Sequence, residues 1–173
     1  MNPFASYVWP MIRFAIALGI LATALCLPAE AQTVSIMSLD QTGAQAVLQS
    51  ARESAQRRNA PSAIAVVDRA GDLLAFLRMD GVRPDSADLA VEKARTAARL
   101  ERPTAEIEDN INRGRTAFVT AGIMALRGGM PVRVDGQVIG AVGVAGLSKE
   151  TDSEIAATAA AAAKPSVNAQ PQH

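Results

Sequence analysis

Histidine and cysteine are almost missing from this chain. Cys26 is its one cysteine and His173 its one histidine in 173 residues. No Cys/His cluster exists to hold zinc. No Ser-His-Asp or Cys-His arrangement can form, and no internal imidazole can move protons near neutral pH. Aromatic residues are 3% of the chain, and beyond residue 14 only Phe76 and Phe118 remain. Net charge is absent too, with 17 basic against 17 acidic residues. That balance argues against nucleic acid as a partner and against an anionic membrane surface. Nucleotide motifs are also lacking. Gly140, Gly143 and Gly146 in "QVIGAVGVAG" lack the spacing of a dinucleotide fingerprint, and no Walker lysine pattern occurs.

What is present begins with a leader-like segment. Arg13 precedes the uncharged run "FAIALGILATALCL", Pro28 breaks it, and "AEA" ends it. The run is shorter than the ~18 to 20 residues of a spanning helix. The expectation is a signal peptide over 1–31, cut after Ala31, and a periplasmic or secreted product. Cleavage would remove Cys26. A domain over 32–163 would follow, and the Pro/Gln/Asn-rich 164–173 reads as a disordered tail.

Within the domain, apolar spacing and turn residues predict nine elements. Residues 38–58 read as a helix, with Ser38 and Gln41 as a capping box. "AIAVV" and "DLLAFLRM", joined by "DRAG", read as a hairpin. Residues 83–103 read as a helix with two apolar stripes. One runs through Ala87, Ala90, Val91, Ala94 and Ala98, the other through Leu89, Lys93, Thr96 and Leu100. Two stripes suggest two contacts, a sheet on one side and a pocket or another subunit on the other. A short helix over 104–114 ends at Gly114, and "RTAFVTAG" reads as one more turn. Residues 123–146 read as three strands, with Asp135-Gly136 as a hairpin turn. Thr151 and Glu154 cap a final alanine-rich helix over 151–164. The order α β β α α β β β α with short connections predicts an α+β domain with an antiparallel sheet of about five strands.

Candidates for chemistry are few. Lys93 lies between leucines, where a lowered pKa would make it a base, although such a lysine more often keeps its ammonium in water. Arg78 and Asp80, with Asp85 nearby, could rim a pocket or simply end a strand and cap a helix. Arg115 beside Thr116 could bind a carboxylate from an exposed turn. Thr96, Gly129 and Met130 complete the candidate ligand contacts. The sequence offers no metal site. Methionines such as Met124 and Met130 are soft sulfur atoms that serve more often as core filler than as ligands. The three glycines fit close packing of the C-terminal helix, or of a flat ligand, on their strand.

"IAVVDRAGDLLAFLRMDG", "KARTAA", "RPT", "GRTA", "GGMPVRVDGQVIGAVGVAG" and the alanine-rich end occur in one order. In this order they resemble the GlcG/HbpS-like family of heme-binding proteins, similar to the C-terminal domain of PduO-type proteins. The resemblance covers about residues 38–163. It implies a profilin- or PAS-like sheet flanked by helices, a homo-oligomer, and binding of heme or a related small organic ligand. For an exported member it implies heme or iron sensing with a membrane sensor as partner. It also leaves open a small enzyme, independent of metal and nucleotide, that acts on an organic acid through Lys93, Asp80 or Arg78. With no internal histidine, a heme iron would take methionine, lysine, a threonine hydroxyl such as that of Thr116, or water.

Overall fold

The computed structural model describes Val34 and residues 36–163. The expected signal peptide and tail, with Cys26 and His173, lie outside the described residues. The order is α1 (Gln41–Arg57), β1 (Ala63–Asp68), β2 (Leu73–Arg78), α2 (Asp85–Leu100), α3 (Thr104–Asn112), α4 (Ala117–Thr120), β3 (Gly129–Val134), β4 (Gln137–Ala145) and α5 (Lys149–Ala160). The strands form one antiparallel sheet in the order β2-β1-β4-β3. The class is α+β as expected, with four strands in place of about five. Residues 123–127 supply no strand; they lead from α4 into β3.

Turn chemistry sets the two hairpins. The Asp68 carboxylate accepts the Gly71 and Asp72 N–H groups at 2.9 and 2.8 Å and closes the first. Asp135 and Gly136 both have positive φ, +50° and +80°, as a two-residue hairpin turn requires. Two caps differ from expectation. Asp40, not Ser38, accepts the Gly43 N–H at the start of α1, at 2.7 Å. Ser148, not Thr151, caps α5 and accepts the Thr151 N–H at 3.4 Å. In each case the helix begins where an oxygen-bearing side chain precedes it in extended backbone.

The sheet is covered on both faces. On one, α1 and α5 bury Val47, Ala51, Ala55, Ile155, Ala156 and Ala159 against Ile64, Val66, Val142 and Val144. On the other, α2 lays Ala90, Ala94, Ala97 and Ala98 on Ala63, Ala65, Val67, Ala141 and Ala145. Alanine facing alanine brings the helix backbone close to the strands. Gly129 and Gly143 are cross-strand partners and bring it closer still. A Cβ on Gly143 would collide with the Ala90 carbonyl, and one on Gly129 with the Lys93 carbonyl. Of the three glycines in "QVIGAVGVAG", Gly143 therefore receives α2, Gly140 faces Leu39 on the other side of the sheet, and Gly146 meets α5 at Asp152.

Candidate functional site

The most heavily buried charges lie where β3 begins and β4 ends. Lys93 sits mid-way along α2, 3% exposed, and its side chain passes the end of the sheet. Its Nζ donates to the Val144 carbonyl at 2.8 Å and to Asp152 Oδ2 at 3.2 Å. Asp152 stands in the first turns of α5, so the pair ties a helix on one face of the sheet to a helix on the other. Its carboxylate also accepts the Gly146 N–H. Burial pushes the Asp152 carboxyl above its ordinary value, against the opposing pull of Lys93 and of that N–H. Gly128 makes the passage: at φ +119°, a Cβ there would lie 2.6 Å from the Val144 carbonyl and 3.0 Å from Lys93 Nζ. Thr104 fixes the next residue, its buried hydroxyl accepting the Gly129 N–H at 2.9 Å.

The ammonium of Lys93 is thus not in water. Lys93 and Thr96 are both buried, so the middle of the second stripe of α2 is not an open pocket, while Leu89 and Leu100 are half-buried. The reason is the segment that crosses it. Thr96 Oγ1 accepts the Met124 N–H at 3.2 Å and holds residues 113–127 down at one point. Arg127 holds them at another, through Glu108 and, at 2.6 Å, Asp109; Lys149 reaches Glu108 at 3.2 Å. Burial opposes ionisation of Glu108, but the bonds from Arg127 and Lys149 outweigh it and lower its pKa.

Between these anchors the segment is open. Every residue from Arg113 to Gly122 is exposed except Phe118, which is half-buried. Gly114 and Gly122 flank α4 at positive φ, +93° and +64°. The Arg115 guanidinium stands 5.2 Å from the centre of the Phe118 ring. Val119 is 65% exposed and Leu126 44%. Residues 113–127 carry three arginines and no acidic residue. The surface is apolar and cationic together, and Arg115 has no ion pair among the described residues.

The structure separates the candidates that the sequence grouped. Arg115 and Thr116 are on the open segment, and Thr96 lies beneath its anchor. Gly129 is pressed against α2 and leaves no space for a ligand. Met130 points to the other face of the sheet and packs in the α1/α5 core. Arg78 and Asp80 line a separate shallow concavity of about 320 Å³ with Arg52, and Asp85 pairs with Arg83 at 3.6 Å. A second concavity, about 410 Å³, lies over Asp152 between α1 and α5, lined by Arg58, Ser148, Thr151 and Glu154. Among the described residues no cluster of three or more His, Cys, Asp or Glu is placed to hold a metal ion. Sequence reasoning missed Asp152 as the partner of Lys93; 59 residues separate the two.

The family described as haem degrading protein HbpS-like matches residues 39–161, which is α1 to α5 in full. The chain belongs to the HbpS-like family. The protein GlcG of Escherichia coli K12 is 51% identical over 107 residues, covering 61% of this chain and 80% of GlcG. A double mutant of Streptomyces reticuli HbpS superposes with a TM-score of 0.70 at 33% identity, covering 79% of this chain and 96% of that one. A crystal structure of PduOC in complex with heme gives 0.65 at 30% identity, covering 73% and 95%. Within this fold the Lys93–Asp152 pair is buried at the end of the sheet and the Arg113–Gly122 segment lies on the surface.

Proposed function

We propose that the protein binds heme on the open segment around α4, as an exported homo-oligomer that handles heme or passes its state to a membrane sensor. One observation carries the choice of surface. Heme is a flat apolar ring bearing two carboxylates, and residues 113–127 present exposed apolar side chains beside an arginine that makes no ion pair among the described residues. The residues fit the group: Phe118, Val119 and Leu126 would meet the ring, and Arg115 would pair with a carboxylate. Thr116 and Met124 supply the oxygen and the sulfur nearest to hand in sequence for the iron. The two concavities fit less well, since each is shallow and carries acidic side chains, Asp152 and Glu154 in one and Asp80 in the other. Membership of the HbpS-like family and the likeness to a heme complex support the ligand. The leader-like residues 14–31 support export.

A bound heme would supply redox chemistry or a spectroscopic and conformational signal. The chain's own part is to hold the ring and neutralise its carboxylates. Lys93 has another role in this reading: its ammonium is buried and held by two acceptors, Val144 and Asp152, as a tie between α2 and α5.

Hemin titration tests the proposal. The expected result is a Soret shift that saturates at a fixed stoichiometry. Arg115→Ala should weaken binding about tenfold, from the loss of a charge-assisted bond of ~1.5 kcal/mol or more. A titration that never saturates would refute heme binding. Saturation untouched by Arg115→Ala and Phe118→Ala would move the site elsewhere.

A further inference from the structure

We propose that β2 is the edge through which two copies of this chain associate, each pairing its own β2 antiparallel to the other's across a twofold axis. This rests on the oligomeric reading above and names its surface.

The sheet has two edges, and they are built differently. β3 carries Pro131, which has no N–H to offer, and Arg133, whose guanidinium is tied to the Glu101 and Gly136 carbonyls at 2.6 and 3.0 Å. Proline and a fixed charge are the usual means of blunting an edge. β2 has neither. It reads LLAFLR, without proline or glycine and without a charge before Arg78. Its one irregularity lies at the Leu73 end and leaves Ala75 to Arg78 in regular register with β1.

The flank of β2 is bare as well. α2 lies across β1, β4 and β3. Phe76 and Leu73 face its side of the sheet, opposite Ala65 and Val67, and remain 41% and 48% exposed. Apolar side chains beside an unpaired row of backbone donors and acceptors form a template for another strand.

Charge selects a second copy as that strand. Asp72 stands at one end of β2, and Arg78 at the other, where Arg52 and Asp80 share its concavity and leave a net positive charge. Asp72, Arg78 and Arg52 make no ion pair among the described residues. Antiparallel pairing sets the Asp72 end of each copy against the Arg78 end of the other, so the complement is met twice by one symmetry operation.

The test is the mass of the purified protein by light scattering and sedimentation, with Leu73→Lys and Phe76→Lys combined. Both side chains are largely outside the core, and circular dichroism would confirm the fold. The wild type should be a multimer and the variant should lose at least half its mass. A monomeric wild type at high micromolar concentration would overturn both this interface and the oligomeric reading. A multimeric wild type with an unchanged variant would overturn the interface alone. Should the variant misfold, hydrogen exchange on the wild type decides. Amides of residues 73–78 should gain protection as concentration rises, and exchange independent of concentration would remove β2 from the interface.

Discussion

Removing either partner of the Lys93–Asp152 pair should have unequal consequences, and pH should reveal them. In Asp152→Ala, a 3% exposed ammonium keeps only the Val144 carbonyl, and the Gly146 N–H loses its acceptor. Leaving a buried charge unpaired costs about 3 to 5 kcal/mol. With a urea m-value near 2 kcal/mol/M, the midpoint should fall by roughly 2 M. In Lys93→Met the carboxyl is left in the same buried place without its cation. Burial already raises the Asp152 pKa in the intact protein, and losing Lys93 raises it further. A carboxyl whose folded pKa exceeds its unfolded value adds stability below the unfolded value, and that stability is lost as pH rises through the folded one. Lys93→Met should therefore be weak at neutral pH and recover as pH falls toward ~4, where aspartate normally titrates. Asp152→Ala should not recover. Replacing both with Met and Leu should return most of the loss, since an apolar pair often matches a buried ion pair. Urea melts of the three variants between acid and neutral pH make the comparison. A midpoint for Asp152→Ala within experimental error of wild type would refute the reasoning, as would a Lys93→Met defect that ignores pH.

Other outcomes follow from the same structure. Gly143→Ala and Gly129→Ala should each lower stability by ~1 to 3 kcal/mol or more, because the added Cβ meets α2 backbone that cannot yield as a side chain can; thermal melts would show it. Glu108 titrates below its ordinary value, so it adds stability above about pH 4.3 that fades as pH falls through the lower folded value. Glu108→Gln should flatten that part of the acid stability profile. Asp68→Ala leaves the Asp72 N–H without its acceptor and the Gly71 N–H with only the Asp68 carbonyl, and should cost about 1 to 2 kcal/mol by urea melt. A melt equal to wild type would show that water replaces that bond.

Most of the fold could be read from local pattern. The hairpin at "DRAG", the Asp135-Gly136 turn and the four longer helices were legible because turn residues and apolar spacing act over a few positions. The caps were harder, since several oxygen-bearing residues precede α1 and α5 and only backbone geometry selects Asp40 and Ser148. Residues 123–127 resembled a strand by composition, but with β3 and β4 already paired they are drawn instead to Thr96 and Glu108 as a lead-in.

The site was less legible, and α2 shows why. Spacing alone marked Lys93 and Thr96 as a stripe apart from the alanines. It did not show that Gly128 opens a passage for the lysine, or that Asp152 waits at the end of it. The amino acids along the chain settled the α+β class, the hairpins, the absence of Cys/His chemistry and the family likeness, for these depend on residue type and near neighbours. Folding in three dimensions settled that Lys93 is a buried tie between layers, that Gly143 receives α2, and that Arg115 stands on an open surface. Those are matters of distance between residues far apart in sequence, and only packing brings them to within a few ångströms.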